Sequence, residues 1–438
     1  MAGDLDIVID AVSKIEGHAE VEVIVRNSKV VDVQLKVEEN KRFYTQAIRG
    51  KPYSGAPQLL SRICGTCSVA HLVGSTIAVE KALDVPVSTQ TQLLRELTLH
   101  AMYIRDHTMH VAFFSLPDYL GIDSVLDAAD THPDLVNKAF AIKSAGNKLG
   151  KLIVGRSVHG LFAQIGSYAK VPSKEEARAM VAELRQVRPF AIEIARLFIK
   201  PKFSFERETN YVAIVGPKFD YMSGEIQSSR GTCVSPEFYY HHIQHVAKPY
   251  SQASAYTFEG NDFMLGAVSR LNMFQKGLHP NTRRDLADAL ALFPTRDIYN
   301  NNLAQAIETV HSIDCAIDIL EQNEFKKEPV PVPRRKSGDG ASAIEAPRGI
   351  LYYMLSVGED GKVRYADIVT PSAQNQINME NDLRALVPMY LSEPKEKIAL
   401  EIEKLIRAYD PCFSCASHFL RLKWTEDGST RLIQPGRV

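Results

Sequence analysis

The chain has 438 residues, 45% of them apolar and 24% charged, with a formal net charge of −1. That is an ordinary soluble composition with enough chain to bury a large core, and it gives no bulk electrostatic case for nucleic acid or an anionic membrane. No apolar run approaches the ~20 residues needed to span a bilayer. The acidic start Met1-Ala2-Gly3-Asp4-Leu5-Asp6 lacks a signal-peptide apolar region, so a cytoplasmic protein is expected.

Residues 5–37 alternate apolar and polar side chains or carry β-branched runs, which predicts strands with a turn at Arg26-Asn27-Ser28-Lys29. The charged segment Lys14-Ile15-Glu16-Gly17-His18 interrupts them as a loop. Helices are expected over 88–116, 133–154, 173–200, 234–250, 281–293, 298–322, 378–391 and 394–409. The helix at 173 opens with Ser173 and Glu176 spaced as a capping box. Glu208 to Val215 reads as a strand. Residues 349–357 and 362–369 flank Glu359-Asp360-Gly361 as a hairpin, and 420–434 reads as a second one. The segment 324–345, rich in Pro, Gly and charge and including Arg334-Arg335-Lys336, is expected to be a surface loop.

These elements predict an α+β fold. A mainly helical core, a bundle of long helices, carries antiparallel β structure at the N-terminus and in the 350–370 region. The expected organisation is one composite domain over 1–438. Its parts are a β region 1–40, a helical core 57–322, the loop 324–345, a β/α part 346–418 and a tail hairpin 419–438.

Six cysteines are present. Four form two Cys-x-x-Cys pairs, Cys64/Cys67 and Cys412/Cys415, with most of the chain between them. Cys233 and Cys315 stand alone and are expected as buried small hydrophobes. A large cytosolic chain does not use cysteines as a disulfide framework, so the pairs point to metal or redox chemistry. Four sulfurs suit structural zinc. A dithiol redox pair is disfavoured because no βαβ context surrounds either motif. A site gathered from both ends of the chain would lie deep in the core, which suits a functional soft transition metal better than a compact zinc module. Buried thiolates need compensating charge. Arg62 and Arg348 are the candidate cations, and Asp106 and Asp410 could hold Arg348. His71 follows Cys67 by four residues and would share a helix face with it. The cluster Asp106-His107-x-x-His110 is denser in polar groups than a plain core helix needs.

Seven motifs in order then carry a resemblance. They are Lys14-Ile15-Glu16-Gly17-His18; Arg62-x-Cys64-Gly65-x-Cys67-x-x-x-His71; Asp106-His107-x-x-His110; Gly155-Arg156-x-x-His159; Glu345-Ala346-Pro347-Arg348-Gly349; Thr370-Pro371-Ser372-Ala373-Gln374-Asn375; and Asp410-Pro411-Cys412-x-x-Cys415-x-x-His418. The chain resembles the large subunit of a nickel–iron hydrogenase over nearly its whole length, and within that family the soluble, cofactor-coupled branch. The resemblance implies one nickel and one iron, the iron carrying carbon monoxide and cyanide. Cys64 and Cys412 would be terminal nickel ligands, and Cys67 and Cys415 would bridge the metals. Arg348 would face the open metal side, held by Asp106 and Asp410. Pro347, Arg348 and Ser372 would line the diatomic ligands, with Ser372 bonded to a cyanide. His71 would support a bridging sulfur, and Glu16 would take protons from Cys412. An iron–sulfur small subunit, further flavin or iron–sulfur electron-transfer subunits and maturation proteins are the implied partners. Electrons would pass to NAD(P), ferredoxin or a deazaflavin. Two features depart from the family. Thr45 stands where a magnesium-binding glutamate is usual, so a magnesium near His418 loses a ligand. The chain also continues past His418, where relatives are commonly cleaved, and the tail is expected to be part of the fold. The competing readings are a hydrogen sensor with the same site, a non-catalytic relative in the quinone-site lineage of respiratory complex I, and a structural zinc protein. The four cysteines argue against the complex I lineage.

Overall fold

The alternation Ala19–Arg26 buries every second side chain, with Val21, Val23 and Val25 inward. In the computed structural model this segment is the middle strand of an antiparallel sheet β1 (Leu5–Ile9), β2 (Ala19–Arg26) and β3 (Lys29–Val37). The structure describes residues 5–9, 11–37, 44–125, 127–200, 203–334, 336–416, 422–426 and 429–433.

The helical body follows, with α1 (Ser68–Ala82), α2 (Thr89–Thr108), α3 (Pro133–Val154) and α4 (Lys174–Leu197). Ser88 caps α2 by accepting from the Thr91 amide at 3.0 Å. At its C-terminal end α2 widens into a π-helical turn, Met109–Ser115. The capping box expected at α4 is present: Ser173 Oγ accepts from Glu176 N at 3.2 Å, and Glu176 Oε2 accepts from Ser173 N at 2.8 Å. Then come β4 (Asn210–Val215), β5 (Glu225–Ser228), β6 (Ile243–Ala247), β7 (Ser254–Phe258), α5 (Ala267–Phe274) and α6 (Asn300–Gln322). The meander β8 (Gly338–Ala346), β9 (Gly349–Val357) and β10 (Val363–Val369) precedes α7 (Pro371–Leu386) and α8 (Lys395–Ala408). The final strands β11 (Leu422–Glu426) and β12 (Ser429–Ile433) pair antiparallel. The fold is α+β as expected, with long helices inside and small antiparallel sheets around them. No helix among the described residues is long and apolar enough to cross a membrane.

Three local expectations are corrected. The tract 234–250 is not a helix but a 3₁₀ turn, Pro236–His241, followed by β6, which pairs with β7. Its β-branched Ile243 and Val246 find strand partners, which decides an ambiguous apolar period. The expected loop 324–345 yields to strand at Gly338. A Cβ at Gly338 or Gly340 would fall 2.0 Å from the carbonyl oxygens of Ala82 or Ala78. These glycines admit strand β8 against the backbone of α1 rather than marking a turn. Cys233 is exposed, because its short edge strand turns Val234 inward instead, and Cys315 is only partly buried.

The apolar core is one continuous cluster running from Ile7 to Ala416, with a small satellite at Val125, Ala128 and Val136. Helix α1 is buried on nearly every side between β8, β9 and the rest of the body. Helices α2 and α3 cross closely at Gly146, where a Cβ would lie 2.8 Å from Arg105 N and 3.1 Å from Ala101 O. Gly146→Ala therefore forces the helices apart and costs about 1–3 kcal/mol despite alanine's better helix propensity. Gly150→Ala, whose Cβ meets nothing nearer than Ser157 Cα at 3.4 Å, should change stability by less than about 1 kcal/mol. Urea denaturation of the two variants tests the difference.

His311 on α6 gives the fold a pH dependence. Its Nε2 donates to Phe219 O at 3.1 Å and its Nδ1 accepts from His279 N at 3.0 Å, so both nitrogens are satisfied in the neutral ring. Burial pushes the ring down to about 4. Between that value and the ~6.5 of an unfolded histidine, the unfolded chain binds the extra proton. This contribution is complete above pH 6.5 and is lost as pH falls toward 4. Between pH 7 and pH 5 it amounts to about 2 kcal/mol, and His311→Asn should remove that part of the slope in denaturant titrations at the two pH values.

Candidate metal centre

The backbone builds the site from both ends of the chain. Leu60–Ile63 delivers Cys64, and Cys67 sits at the N-cap of α1, where the positive end of the helix favours a thiolate. At the other end α8 stops at Ala408. Asp410 adopts a left-handed φ of +50° and Pro411 prevents the helix from resuming, which turns Cys412 back into the core. The Sγ atoms of Cys64, Cys67 and Cys412 then form a triangle, with Cys64 3.3 Å from each of the others and Cys67 3.6 Å from Cys412. All three are buried. Thiolates sharing one ion at metal–sulfur distances of about 2.3 Å stand roughly 3.3–3.8 Å apart, so this set fits a soft metal. It is also the one group of metal-ligand side chains found among the described residues. The side chain of Cys415 and all of His418 lie outside the described residues.

Glu16 reaches the triangle from the opposite terminus. Its main chain forms a bridge with Cys412, its carbonyl accepts from Phe413 N at 2.9 Å, and its Oε2 accepts from Cys412 Sγ at 2.9 Å. Burial, and then the charge on Cys64, raise this carboxyl above its ordinary value. Gly17 makes the approach possible. It has φ +87°, and a Cβ there would lie 2.8 Å from Ser414 N.

Arg348 is the buried cation of the site. Its Nε donates to Asp410 O at 2.8 Å and its Nη2 to Asp410 Oδ1 at 2.9 Å. Its Nη1 lies 3.9 Å from Cys67 Sγ and 3.8 Å from Asp106 Oδ2. Burial opposes its charge, but Asp410, Cys67, Cys412 and Asp106 outweigh it and hold the guanidinium well above its usual range. Burial raises Asp106, against the pull of Arg105 and Arg348. Arg62, the other candidate cation, is exposed instead. Ser372 Oγ accepts from the Cys412 amide at 2.8 Å. His71 lies one turn into α1 with Nδ1 on the Tyr353 hydroxyl, and burial pushes it down to about 4. Thr45, on the short helix Tyr44–Ala47, brings a hydroxyl where the resemblance implies a carboxylate.

The family model for nickel-dependent hydrogenase matches residues 42–153 and 237–418. The chain belongs to that family. It is 33% identical over 426 residues to sulfhydrogenase 1 subunit alpha of Pyrococcus furiosus, covering 95% of this chain and 99% of the relative. It is 31% identical over 417 residues to sulfhydrogenase 2 subunit alpha of the same organism, covering 94% and 99%. The NAD-reducing hydrogenase HoxS subunit beta of Cupriavidus necator is 28% identical over 465 residues, covering 94% of this chain and 95% of the relative. Among solved structures, the NAD⁺-reducing [NiFe]-hydrogenase in its H2-reduced state has the same fold, with a TM-score of 0.83 at 22% identity, covering 94% of this chain and 99% of that one. The protein is therefore a nickel-dependent hydrogenase subunit, an oxidoreductase acting on dihydrogen, and its buried cysteine cluster can bind metal.

Around the hydrogenase site lies a set of residues that the motifs did not reveal. Arg105 reaches the carbonyls of Thr66 and Ser157 and donates through Nε to Asp106 at 2.8 Å, so it ties the first cysteine loop to α2. Arg270 spends all five N–H groups behind Arg348. Two go to Glu308 at 2.6 and 2.7 Å, one to Glu345 at 2.7 Å, and one each to the carbonyls of Ala346 at 3.2 Å and Pro347 at 3.1 Å. Its guanidinium also lies 5.4 Å from the ring centre of Tyr103, which stacks on Tyr221. Burial works against the Glu308 charge, yet Arg270 and the hydrogen bond from His107 bring it down to about 2. The available signal was the polar run Asn300-Asn301-Asn302-x-x-Gln305-x-x-Glu308 at the start of a buried helix, all of it buried. Arg270→Met strands Glu308 and Glu345 in the core and should lower unfolding stability by about 3–5 kcal/mol in chemical denaturation. A loss under about 1 kcal/mol would refute this account of the network.

Proposed function

We propose that the four cysteines hold a nickel–iron pair whose iron carries carbon monoxide and cyanide. In this reading Cys64 and Cys412 would hold the nickel, and Cys67 and Cys415 would be shared between nickel and iron. The carrying observation is the meeting of three buried sulfurs with a carboxyl on one side and a guanidinium on the other. Heterolytic cleavage of dihydrogen needs a Lewis acid and, beside it, a base for the proton; the bound metals supply the first. Cys412 Sγ takes the proton and passes it to Glu16 Oε2, 2.9 Å away. A carboxyl raised by burial is suited to hold that proton before release. Arg348 balances the thiolate charge, and Asp410 and Asp106 keep it aimed at the sulfurs. Ser372 orients the Cys412 peptide and serves as the donor to a cyanide. Pro347 would line the same diatomic ligands, and His71 would support a bridging sulfur. Burial of Cys64, Cys67, Cys412, Ser372 and Arg348 excludes water from the reacting atoms.

Electrons must leave through another chain. Four of the six cysteines are committed to the metals, and Cys233 and Cys315 stand apart. An iron–sulfur small subunit is the assigned partner, followed by flavin or iron–sulfur electron-transfer subunits and a soluble acceptor of the NAD(P), ferredoxin or deazaflavin class. The relatives carry subunit names, which supports a multi-subunit assembly. The chain acts as one composite domain in the cytoplasm and needs maturation proteins to load the metals.

Infrared spectroscopy on protein purified without oxygen tests the metal assignment. Bands of metal-bound carbon monoxide and cyanide that respond to dihydrogen are expected, with nickel bound in the same protein. Zinc in the cysteine site, with no such bands in nickel-replete protein, would sink the assignment. Glu16→Gln should keep the bands and metals but slow exchange between dihydrogen and deuterated water by about 10²–10⁴-fold. Undiminished exchange would remove Glu16 from the proton route.

A further inference from the structure

We propose that His110 is an imidazolium, protonated on both ring nitrogens, and that through Gln305 it fixes Asp410 and hence Arg348. His110 lies in the π-helical turn that follows α2 and is 1% exposed. Its Nε2 is 2.7 Å from the main-chain oxygen of Arg407. A peptide carbonyl can only accept, so Nε2 carries a proton. Ser115 Oγ is 3.2 Å from the same nitrogen and sends its own proton to Asn302 Oδ1 at 3.1 Å, so it too faces His110 as an acceptor.

The other nitrogen, Nδ1, is 2.5 Å from Gln305 Oε1. An amide can be turned end for end, but the far end of this one fixes its orientation. Gln305 Nε2 is 2.9 Å from Asp410 Oδ2, while Asp410 Oδ1 accepts from Arg348. Turning the amide would set its carbonyl oxygen against the carboxylate, acceptor to acceptor. With the amide held by Asp410, Nδ1 faces an oxygen and must also donate. A ring with a single proton cannot satisfy both sides. The resulting cation lies 3.9 Å from Asp410 Oδ1 and offsets its buried charge. The other charged groups nearby are already engaged: the Arg407 guanidinium with Asp118 and Glu403, and Glu308 with Arg270 and His107.

His107, one turn earlier on the same helix, is the contrast. Its Nε2 donates to Glu308 at 2.7 Å, its Nδ1 has no hydrogen-bond partner, and burial lowers it, so that ring is neutral. Neighbouring histidines therefore differ in charge because of what each nitrogen meets.

His110 does not touch the reacting atoms, so it is a positioning residue. It holds the Gln305 amide, the amide holds one oxygen of Asp410, and the other oxygen holds Arg348. This role rests on the reading of Arg348 as the cation facing the metals. Neutron diffraction from deuterium-exchanged crystals of the intact complex tests the charge. Deuterium on both ring nitrogens, with the Gln305 ND2 group aimed at Asp410, is the expected result. A ring with one deuteron overturns the proposal outright, whatever metal the cysteines hold. The positioning role is tested with Gln305→Leu, which should lower kcat for dihydrogen oxidation at least tenfold while KM for dihydrogen and metal content stay within twofold. Unchanged kcat in metal-loaded Gln305→Leu overturns that role. Metal identity is decided separately by the infrared bands, so failure of this proposal and failure of the nickel–iron assignment give different results.

Discussion

Three cysteine sulfurs within 3.6 Å of one another inside the protein impose the governing constraint. As thiolates they repel, and the interior does little to screen them. A metal relieves the repulsion when bound, but the surrounding chain must already be arranged for negative charge. Arg348 is placed for that purpose, 4% exposed and 3.9 Å from Cys67 Sγ. A buried cation brings its own penalty, so Asp410 and Asp106 flank it. Asp410 can do this because helix α8 ends just before it. Its left-handed backbone turns both its carbonyl and its carboxylate toward the same guanidinium.

The same logic repeats farther out. The segment that carries Arg348 would drift if its carbonyls were unpaired, and Arg270 pins two of them. Arg270 is itself buried and needs Glu308 and Glu345, and Glu308 takes a proton donor from His107. Each layer supplies opposite charge or hydrogen bonds to the charged groups of the layer inside it. Half-satisfied networks of this kind cost more than an apolar core. The site is therefore positioned by a connected electrostatic frame running from α2 through α5 and α6 to the end of α8, and the apolar cluster encloses that frame.

The sequence exposed the inner layer and hid the outer one, for physical reasons. Cys64, Cys67, Cys412, Glu16, Arg348, Asp106 and Asp410 sit in short local motifs, where chemistry at fixed spacing is readable. Gln305, Glu308 and Arg270 act across helices, and no local period encodes a partner on another element. The surplus of amide side chains at the start of α6 was the available hint, since apolar packing has no use for Asn301, Asn302 and Gln305 in a buried face. The tract at 234–250 was misread because aromatic, histidine and β-branched residues suit a helix or a strand until pairing with Ser254–Phe258 decides. Gly338 and Gly340 fell within the expected surface loop because a close helix–strand approach needs the same missing Cβ as a flexible segment. The α+β balance survived these errors because it rests on the long helices and the terminal sheets, whose periods are strong.

The order of assembly follows from the same contacts. Cys412 lies 396 residues from Glu16 and 348 from Cys64, yet it touches both. The contacts of Cys412 with Glu16 and Cys64 cannot form until the two ends of the chain have met. A metal bound here therefore draws on folding free energy as well as ligand affinity, and an unfolded chain offers no preformed site. The meeting is made by main chain as well as side chain. Glu16 and Cys412 bridge, Phe413 donates to Glu16, and Ser13 hydrogen-bonds Glu403 on α8. Gly17 lies against Phe413 and Ser414 at a distance that no side chain tolerates. The separation between the Glu16 carboxyl and the Cys412 sulfur is thus set by the packing of two backbones, and a residue without a side chain fixes the reach of the proton acceptor.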